Sequence, residues 1–180
     1  MKRSRSRRNH HDEDLRRRFE DFYRLHFVAL SRYVTRRLPP ASREEIVAAA
    51  FVVAWKKFSE VGNPTLPWLY RIASFEVSNE RRRLGREPEL VALWDVSSTD
   101  TFPLHDVIDV SSAYAQLSED DQEVLRLVFW EDLSRNEVAE VLGCSVNALN
   151  VRVHRAIDRL RGAISRVGSI TKPNHMKEES

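Results

Sequence analysis

The 180-residue sequence contains one cysteine, five glycines and two methionines, and it has no long run of apolar residues. A single cysteine, Cys144, excludes an internal disulfide, and we expect it to act as a small apolar filler. No apolar run approaches the length of a membrane span, and the arginine-rich start has no secretory core. We therefore expect a cytoplasmic protein without membrane insertion.

The sequence also lacks the groupings of side chains that catalysis and metal binding require. It has no glycine-rich phosphate loop, its six histidines are scattered, and no Ser/His/Asp or Cys/His grouping is apparent. We predict that the protein is not an enzyme and that it uses no cofactor and no metal. Strand-like alternation is absent too, so the predicted fold class is all-α, with two small helical domains.

Charge is distributed unevenly along the chain. Residues 1–83 carry 19 basic and 10 acidic side chains, a net charge of +9, whereas residues 84–112 carry one basic and six acidic side chains, a net charge of −5. Residues 113–180 carry 9 basic and 11 acidic side chains, a net charge of −2. A polyanion should therefore be attracted most strongly to the first part of the chain.

The segment from Ser134 to Arg161 predicts two helices joined by a short corner. Ser134 and Glu137 have the spacing of a capping box. Gly143 suits the left-handed residue that ends a helix, and Ser145 can cap the helix that follows. That second helix has an apolar stripe at steps of three and four residues, formed by Val146, Leu149, Val153, Ile157 and Leu160. This layout is typical of a helix-turn-helix, whose second helix enters the DNA major groove.

Charge segregation favours DNA binding by this segment. Eight acids and two bases lie in residues 118–140, whereas residues 145–161 contain four arginines and one aspartate. A plain helical hairpin with a solvated basic face is the alternative interpretation. Side chains that can donate to bases or phosphates lie largely off the apolar stripe: Asn147, Asn150, Arg152, His154 and Arg155.

Three helices are predicted before the acidic region. Residues 1–13 have no apolar period and are expected to form a disordered basic tail, either solubilising or phosphate-binding. The first helix is expected over residues 14–38, and the second to start at Ser42, with Glu45 as the reciprocal cap residue. A loop over residues 59–67 precedes the third helix.

The second and third helices have unusual surfaces. The second is apolar on more than one side, which suggests a protein partner, with a tightly wrapped core helix as the alternative. The third interleaves aromatic residues with arginines, a pattern that suits single-stranded nucleic acid, although aromatic residues on a helix more often belong to a core.

The rest of the chain is predicted as follows. Residues 84–112 are acidic, contain glycine and prolines, and are expected to form a flexible linker in which Trp94 and Phe102 could act as anchors. Ser118 should cap a helix from Glu119 to about Trp130 whose apolar residues include Val124, Leu125, Val128 and Phe129. Residues 167–180 are expected to form a flexible tail.

The order and spacing of four segments match a known family. The segments are FEDFYRLHFVALSRYV, EEIVAAAFVVAWKKF, LPWLYRIASFEVSNERRR and AYAQLSEDDQEVLRLVFWEDLSRNEVAEVLGCSVNALNVRVHRAIDRLR. They resemble, in this order, the opening helix, the core-binding helix, the promoter-melting segment and the second domain of a bacterial sigma-70 family sigma factor. The resemblance is to the extracytoplasmic-function (ECF) group and covers about Phe19 to Ile164.

The resemblance implies a factor that binds core RNA polymerase and directs promoter recognition and transcription initiation. Residues 14–83 would bind the polymerase clamp helices and melt the −10 element. Residues 84–112 would thread toward the RNA path. Residues 113–166 would carry the helix-turn-helix to the −35 element, beside the polymerase flap. An anti-sigma factor is a further partner that the resemblance allows.

The resemblance also assigns candidate residues to each contact, and the loop over residues 59–67 would shape a pocket for a flipped base. The −35 contacts would be Ser145, Asn147, Asn150, Val151, Arg152, His154 and Arg155. The −10 melting and phosphate contacts would be Asn63, Trp68, Arg71, Asn79, Arg81, Arg82 and Arg83. The polymerase contacts would be Glu45, Ile46, Phe51, Val52 and Trp55.

Three departures from the family pattern change these expectations. Residues 48–50 are alanines where polar residues are usual, and Ser74-Phe75 stands where Arg-Asn is common. Asn150-Val151 replaces a common basic-Ser pair, which predicts an unusual −35 sequence, with Asn150 on an adenine. The alternative function is a stand-alone helix-turn-helix regulator that binds an operator as a dimer without polymerase.

Overall fold

The computed structural model describes the backbone of residues 2–85 and 104–170, and the side chains of residues 12–85 and 110–167. Within these ranges all regular secondary structure is helical, as predicted. The helices form two compact units. The first unit contains α1 to α3; the second contains α4, α5, α7 and most of α6. The bounds are α1 Lys2–Thr35, α2 Pro40–Lys57, α3 Leu66–Leu84, α4 Leu104–Ala115, α5 Glu119–Phe129, α6 Arg135–Leu142 and α7 Val146–Ile170.

Aromatic rings hold the first unit together. The Phe22 ring on α1 lies 5.4 Å from the ring of Phe58 and 5.9 Å from that of Trp68, so it joins α1 to both ends of the α2–α3 loop. The rings of Tyr33 and Tyr70 stack at 4.5 Å, and the Tyr70 hydroxyl donates to the carbonyl of Ala29. These contacts fix the rotation of α3 about its axis and hence the face that it exposes.

Two predicted features of the first unit are wrong. The tail expected over residues 1–13 is helical from residue 2 onward, because no proline or glycine interrupts it and arginine has a high helix propensity. The second helix starts at Pro40, two residues before the predicted cap Ser42. Ser42 is buried and its hydroxyl donates to Glu80 on α3, so it joins two helices instead of capping one.

The second unit has a small core in which α4 and α5 pack against α7. Buried Tyr114, Leu125 and Ala156 form its centre, with Trp130 and Ile157 packed against them. The Tyr114 hydroxyl donates to the carbonyl of Gln122 at 2.8 Å, which satisfies its buried polar atom. This core supports the inward side of α7.

The predicted limits of the linker and the C-terminal tail are also wrong in part. Residues 104–112, expected in the flexible linker, belong to α4, and residues 167–170, expected in the tail, belong to α7. Acids and a proline obscured the helical spacing of the apolar residues from Leu104 onward. Leu84, also expected in the linker, is the last residue of α3, and Gly85 caps that helix. Residues 86–103 of the predicted linker, with Trp94 and Phe102, and residues 171–180 lie outside the described residues.

The helix after the linker agrees with its prediction: it was expected from Glu119 to about Trp130 and spans Glu119–Phe129. Ser118 caps α5 by accepting a hydrogen bond from the N–H of Asp121 at 3.2 Å, as expected. Phe129, one of the apolar residues named for this helix, is 59% exposed, while Leu127, two residues earlier, is fully buried. The Phe129 side chain thus contributes to the surface of the second unit.

Candidate nucleic-acid interface

The corner between α6 and α7 has the geometry of a helix-turn-helix. The N–H of Glu137 donates to the Ser134 hydroxyl at 3.3 Å, and the Glu137 carboxylate accepts from the Ser134 N–H at 2.7 Å. Hydrogen bonds to the Glu137 carboxylate, first from the Ser134 side chain and then from the Ser134 backbone, hold the pKa of Glu137 below its ordinary value. The predicted capping box is therefore confirmed.

The turn itself follows from two small residues. Gly143 adopts a φ of 63°, which side chains with a Cβ rarely tolerate. The N–H of Cys144 donates to the carbonyl of Ala139 at 3.0 Å, which closes the end of α6. Ser145 then caps α7 by accepting from the N–H of Ala148 at 3.2 Å. These local bonds set the direction in which α7 leaves the corner.

Helix α7 has an inward and an outward face, as its sequence predicts. Leu149, Val153 and Ala156 are buried. Arg152 is half-buried. Five other candidate contact residues are exposed: Asn147, Asn150, Val151, His154 and Arg155. Ser145 is also exposed, but its hydroxyl is engaged in the cap. The structure therefore brings most predicted −35 residues onto the solvent side of one helix.

One acid lies among these basic residues. The carboxylate of Asp158 is 3.3 Å from the His154 ring nitrogen Nε2 and 3.5 Å from an Arg161 nitrogen. All three side chains are largely exposed, so these pairs are weak and screened. Because Asp158 offsets positive charge around it, a polyanion should be attracted most strongly to the N-terminal half of this face of α7.

Helix α3 presents a second exposed face. Thr65 caps the helix and Pro67 lies in its first turn, while Leu69 and Ala73 are buried. Steps of three and four residues bring together, on the opposite side, the exposed residues Arg71, Phe75, Asn79 and Arg82 and the half-buried Trp68. Sequence reasoning did not select Phe75, which is 63% exposed, because its position alone does not distinguish core from surface.

The run of three arginines at the end of α3 does not form one group. Arg81 donates to the Arg37 carbonyl at 3.3 Å, and Arg83 donates to Glu80 at 2.7 Å. Arg82 donates to the Asn79 side chain at 2.6 Å and lies on the exposed face. Arg81 therefore joins α3 to Arg37, and Arg83, although exposed, is paired with Glu80. Arg82 lies on the exposed face with Arg71 and Phe75. Asn63 is exposed in the loop before the helix.

The predicted polymerase contacts on α2 separate into two sets. Ile46 and Phe51 are only 7% and 5% exposed and belong to the core of the first unit. Val52 is 52% exposed and Trp55 38%, and Glu45 is exposed beside them. Burial explains why the helix looked apolar on more than one side: one apolar side packs inward and the other faces solvent.

A groove flanks this surface of α2. It lies between α1 and α2 and has a volume of about 720 Å³. Apolar side chains from both helices line much of it: Tyr23, Phe27, Val47, Ala48 and Phe51. The rings of Tyr23 and Phe51 lie 4.5 Å apart at its floor. An apolar groove beside exposed Val52 is a suitable surface for a protein partner.

Comparison with known proteins identifies the family. The family model for sigma-70 region 4 matches residues 109–160, which include the helix-turn-helix. The ECF RNA polymerase sigma factor SigL of Mycobacterium tuberculosis is 26% identical over 157 residues, covering 81% of this chain and 88% of SigL. SigD of Mycobacterium bovis, also an ECF sigma factor, is 30% identical over 130 residues, covering 68% of this chain and 61% of SigD.

The chain belongs to the ECF group of the sigma-70 family. The solved structure of the sigma factor RpoE from Bartonella quintana, a complex with the anti-sigma factor NepR, has the same fold. Its TM-score is 0.60 at 23% identity, and the match covers 81% of this chain and 98% of RpoE. CnrH, solved with the cytosolic domain of CnrY, matches with a TM-score of 0.60 at 24% identity, over 87% of this chain and 91% of CnrH. The predicted all-α fold of this sigma factor is thereby confirmed.

Proposed function

We propose that this sigma factor directs core RNA polymerase to promoters by contacting two separate DNA elements, without catalysing a reaction itself. One observation carries the proposal: two compact units each expose one helix face whose side chains suit nucleic acid. The relatives SigL and SigD are named as RNA polymerase sigma factors, which supports the same partner here. The alternative, a stand-alone regulator, is not favoured by these relatives.

The exposed face of α3 suits an unpaired DNA strand. Arg71 and Arg82 lie on different turns of the helix and both provide positive charge. The exposed Phe75 ring lies between them. Bases that have left the duplex can stack on an exposed ring while arginines follow the phosphates. We assign the −10 element to this face. The base pocket over residues 59–67 stays a prediction.

The exposed face of α7 suits the major groove of a duplex. It begins directly after the corner at Gly143, and the Ser145 cap holds its first turn through the N–H of Ala148. We assign the −35 element to this face. Affinity for this element should depend on polymerase, because one small helix-turn-helix buries too little surface to hold a site alone.

The surface of α2 suits the polymerase itself. Exposed Val52 and Trp55 and the groove between α1 and α2 offer apolar area on the same helix as the exposed, charged Glu45. We assign the clamp helices to this surface. Ile46 and Phe51 support it from beneath, since both are buried.

A second apolar groove suits the polymerase flap. It lies in the second unit, has a volume of about 320 Å³ and is lined by residues from α4, α5 and α7, including Phe129, Trp130 and Leu160. Exposed Phe129 at its edge supports a protein occupant.

The described part of the chain contains no helix long and apolar enough to cross a membrane. We place the protein's action in the cytoplasm because its proposed partner, core polymerase, works there.

An anti-sigma factor is a further proposed partner. RpoE from Bartonella quintana was solved bound to such a protein, and this chain shares its fold. If an anti-sigma factor covers the exposed part of α2, then it should compete with core polymerase for Trp55. Competition in a pull-down with purified core would test this.

Transcription with purified bacterial core polymerase on a randomised promoter library tests the proposed function. We expect start-site-specific transcripts only when the chain is added. The double variant Val52→Asp with Trp55→Ala should lower co-purification with core by about tenfold or more, because truncating an interface tryptophan commonly removes this much affinity. The matched control is Glu60→Gln, an exposed change in the α2–α3 loop.

The outcomes separate the two functions. Tight operator binding by the chain alone, with no stimulation of core polymerase, would establish the stand-alone regulator instead. Unchanged co-purification of the folded double variant would remove α2 as the polymerase surface.

A further inference from the structure

The outward face of α7 has an apolar centre. Successive residues of an α-helix are about 100° apart, so the buried residues Leu149, Val153 and Ala156 define an inward direction. Val151 points about 170° away from that direction, farther than any candidate contact residue. Its side chain is 49% exposed. A branched apolar side chain thus occupies the most prominent position of the proposed recognition helix.

The neighbours of Val151 on this surface are defined by the helical repeat. Asn147 and Ala148 lie one turn before it, and His154 and Arg155 one turn after it; all four are exposed. The methyl groups of Ala148 and Val151 therefore form a small apolar patch, bordered by an amide on one side and a guanidinium on the other. Asn150 lies only about 90° from the inward direction, toward one edge of the face.

The chemistry of the major groove restricts what such a patch can read. Among the base edges exposed there, only thymine carries an apolar group, the C5 methyl; the others present hydrogen-bond donors and acceptors. Val151 against a cytosine or guanine edge would strip water from polar atoms without replacing its hydrogen bonds. Against a thymine, two apolar groups leave water together.

We propose that Val151 reads a thymine methyl in the −35 element and that Asn147 reads an adenine within one helical turn of it. An asparagine amide can donate to adenine N7 and accept from adenine N6, which fixes that base pair. This assignment rests on the proposed function, namely that α7 enters the major groove. It also replaces our sequence-based expectation that Asn150 carries adenine recognition, since Asn150 lies at the edge, where the phosphate backbone runs.

The test removes the methyl group without changing base pairing. Holoenzyme, formed from core polymerase and the full chain, first selects promoters from a library randomised at the −35 element. Each thymine of the selected element is then replaced singly by deoxyuridine, which lacks only the methyl. We expect one thymine at which the replacement lowers promoter occupancy about fourfold, the effect of one buried methylene-sized group. Thymines outside the element serve as internal controls.

The variant Val151→Ser connects the effect to this side chain. Val151 is exposed, so the fold should be retained. With this variant, the ratio of promoter occupancy on the thymine template to that on the uridine template should fall from about four to about one. Gln116→Ala, an exposed change after α4, should leave the ratio unchanged. Asn147→Ala should lower the preference for adenine over the other bases at an adjacent position by about tenfold.

Three results would count against the proposal, and they differ. If the library shows no enrichment at the −35 position, the proposed role of α7 fails and this inference fails with it. If the element is enriched but uridine is tolerated at every thymine, the methyl contact alone is refuted. If Val151→Ser lowers occupancy equally on thymine and uridine templates, Val151 contacts protein or backbone instead of a base, and the inference is also refuted.

Discussion

The exposed faces of α3 and α7 differ in the size of their apolar groups. On α3 the exposed apolar group is the whole ring of Phe75, whereas on α7 it is the pair of methyl-bearing side chains Ala148 and Val151. A ring can cover a base that has left the stack, but a methyl patch can only touch the edge of a stacked one. On the proposed assignment, the difference in apolar groups suits α3 to open DNA and α7 to duplex DNA.

The largest expected effect is on α3. Phe75→Ala should lower transcription from a duplex promoter by about tenfold, because base stacking on an aromatic side chain contributes roughly 1–3 kcal/mol per base. On a template already unpaired at the −10 element the loss should be smaller, since polymerase need not open the strands. Single-round transcription on both templates measures this. Equal loss on both would mean that the ring does not assist opening.

The matched change on α7 is Arg155→Ala. We expect about a fivefold loss, within the range for an arginine that contacts a base or phosphate. The loss should be the same on duplex and pre-opened templates and should disappear when the −35 element is deleted. Polymerase binding should not change. A loss of transcription that persists without the −35 element would break the assignment of the two faces.

Acid should affect the first unit more than the second. Hydrogen bonds from Arg83 and then Ser42 hold the pKa of buried Glu80 below 4.5, and those from Ser134 lower the pKa of the more exposed Glu137. A lowered folded-state pKa means that each carboxylate stabilises its unit above about pH 4.5 and loses this effect as pH falls through the folded-state pKa.

Variants separate the two contributions. Glu80→Gln should lower the unfolding temperature at neutral pH and flatten its fall in acid, with a smaller effect for Glu137→Gln and almost none for exposed Glu60→Gln. Circular dichroism melting curves at neutral and acidic pH provide the measurement. An unchanged acid profile for Glu80→Gln would show that the Ser42–Glu80–Arg83 bonds do not stabilise the unit.

The smallest expected effects concern glycines. Gly85, which ends α3, and Gly143, which ends α6, have φ values of 59° and 63°. Alanine at either should destabilise by about 1 kcal/mol, because a Cβ disfavours the left-handed region. Gly162→Ala, inside α7 with only ordinary contact for a Cβ, should stabilise by about 1 kcal/mol. Urea unfolding distinguishes the signs; destabilisation by Gly162→Ala would contradict the prediction.

Local signals account for what could be predicted. The corner from Ser134 to Ser145 depends on caps and a glycine that act within a few residues, and each predicted bond is present. The start of α5 at Ser118 follows in the same way. The prediction failed at the N-terminus of α1 and at α4, where charge was given more weight than helix propensity and apolar spacing.

Other features depend on partners far away in sequence. Ser42 looks like a helix cap, but its partner is Glu80, 38 residues later. The three arginines at the end of α3 look alike, yet Arg81 reaches the Arg37 carbonyl, 44 residues away, whereas Arg82 and Arg83 bind residues of their own helix. No local rule distinguishes these cases.

Most of the helices and the helix-turn-helix corner could be read from the chain alone, because hydrogen bonds and apolar periods within a few residues specify them. The family was indicated by the order and spacing of four segments. Packing of the whole unit was needed to separate the exposed apolar side chains from those of the core. Phe51 and Val52 are adjacent and both apolar, yet Phe51 is 5% exposed and Val52 52%. The physical reason is that exposure depends on the rotation of each helix against its neighbours, and this rotation is set by packing of the whole unit.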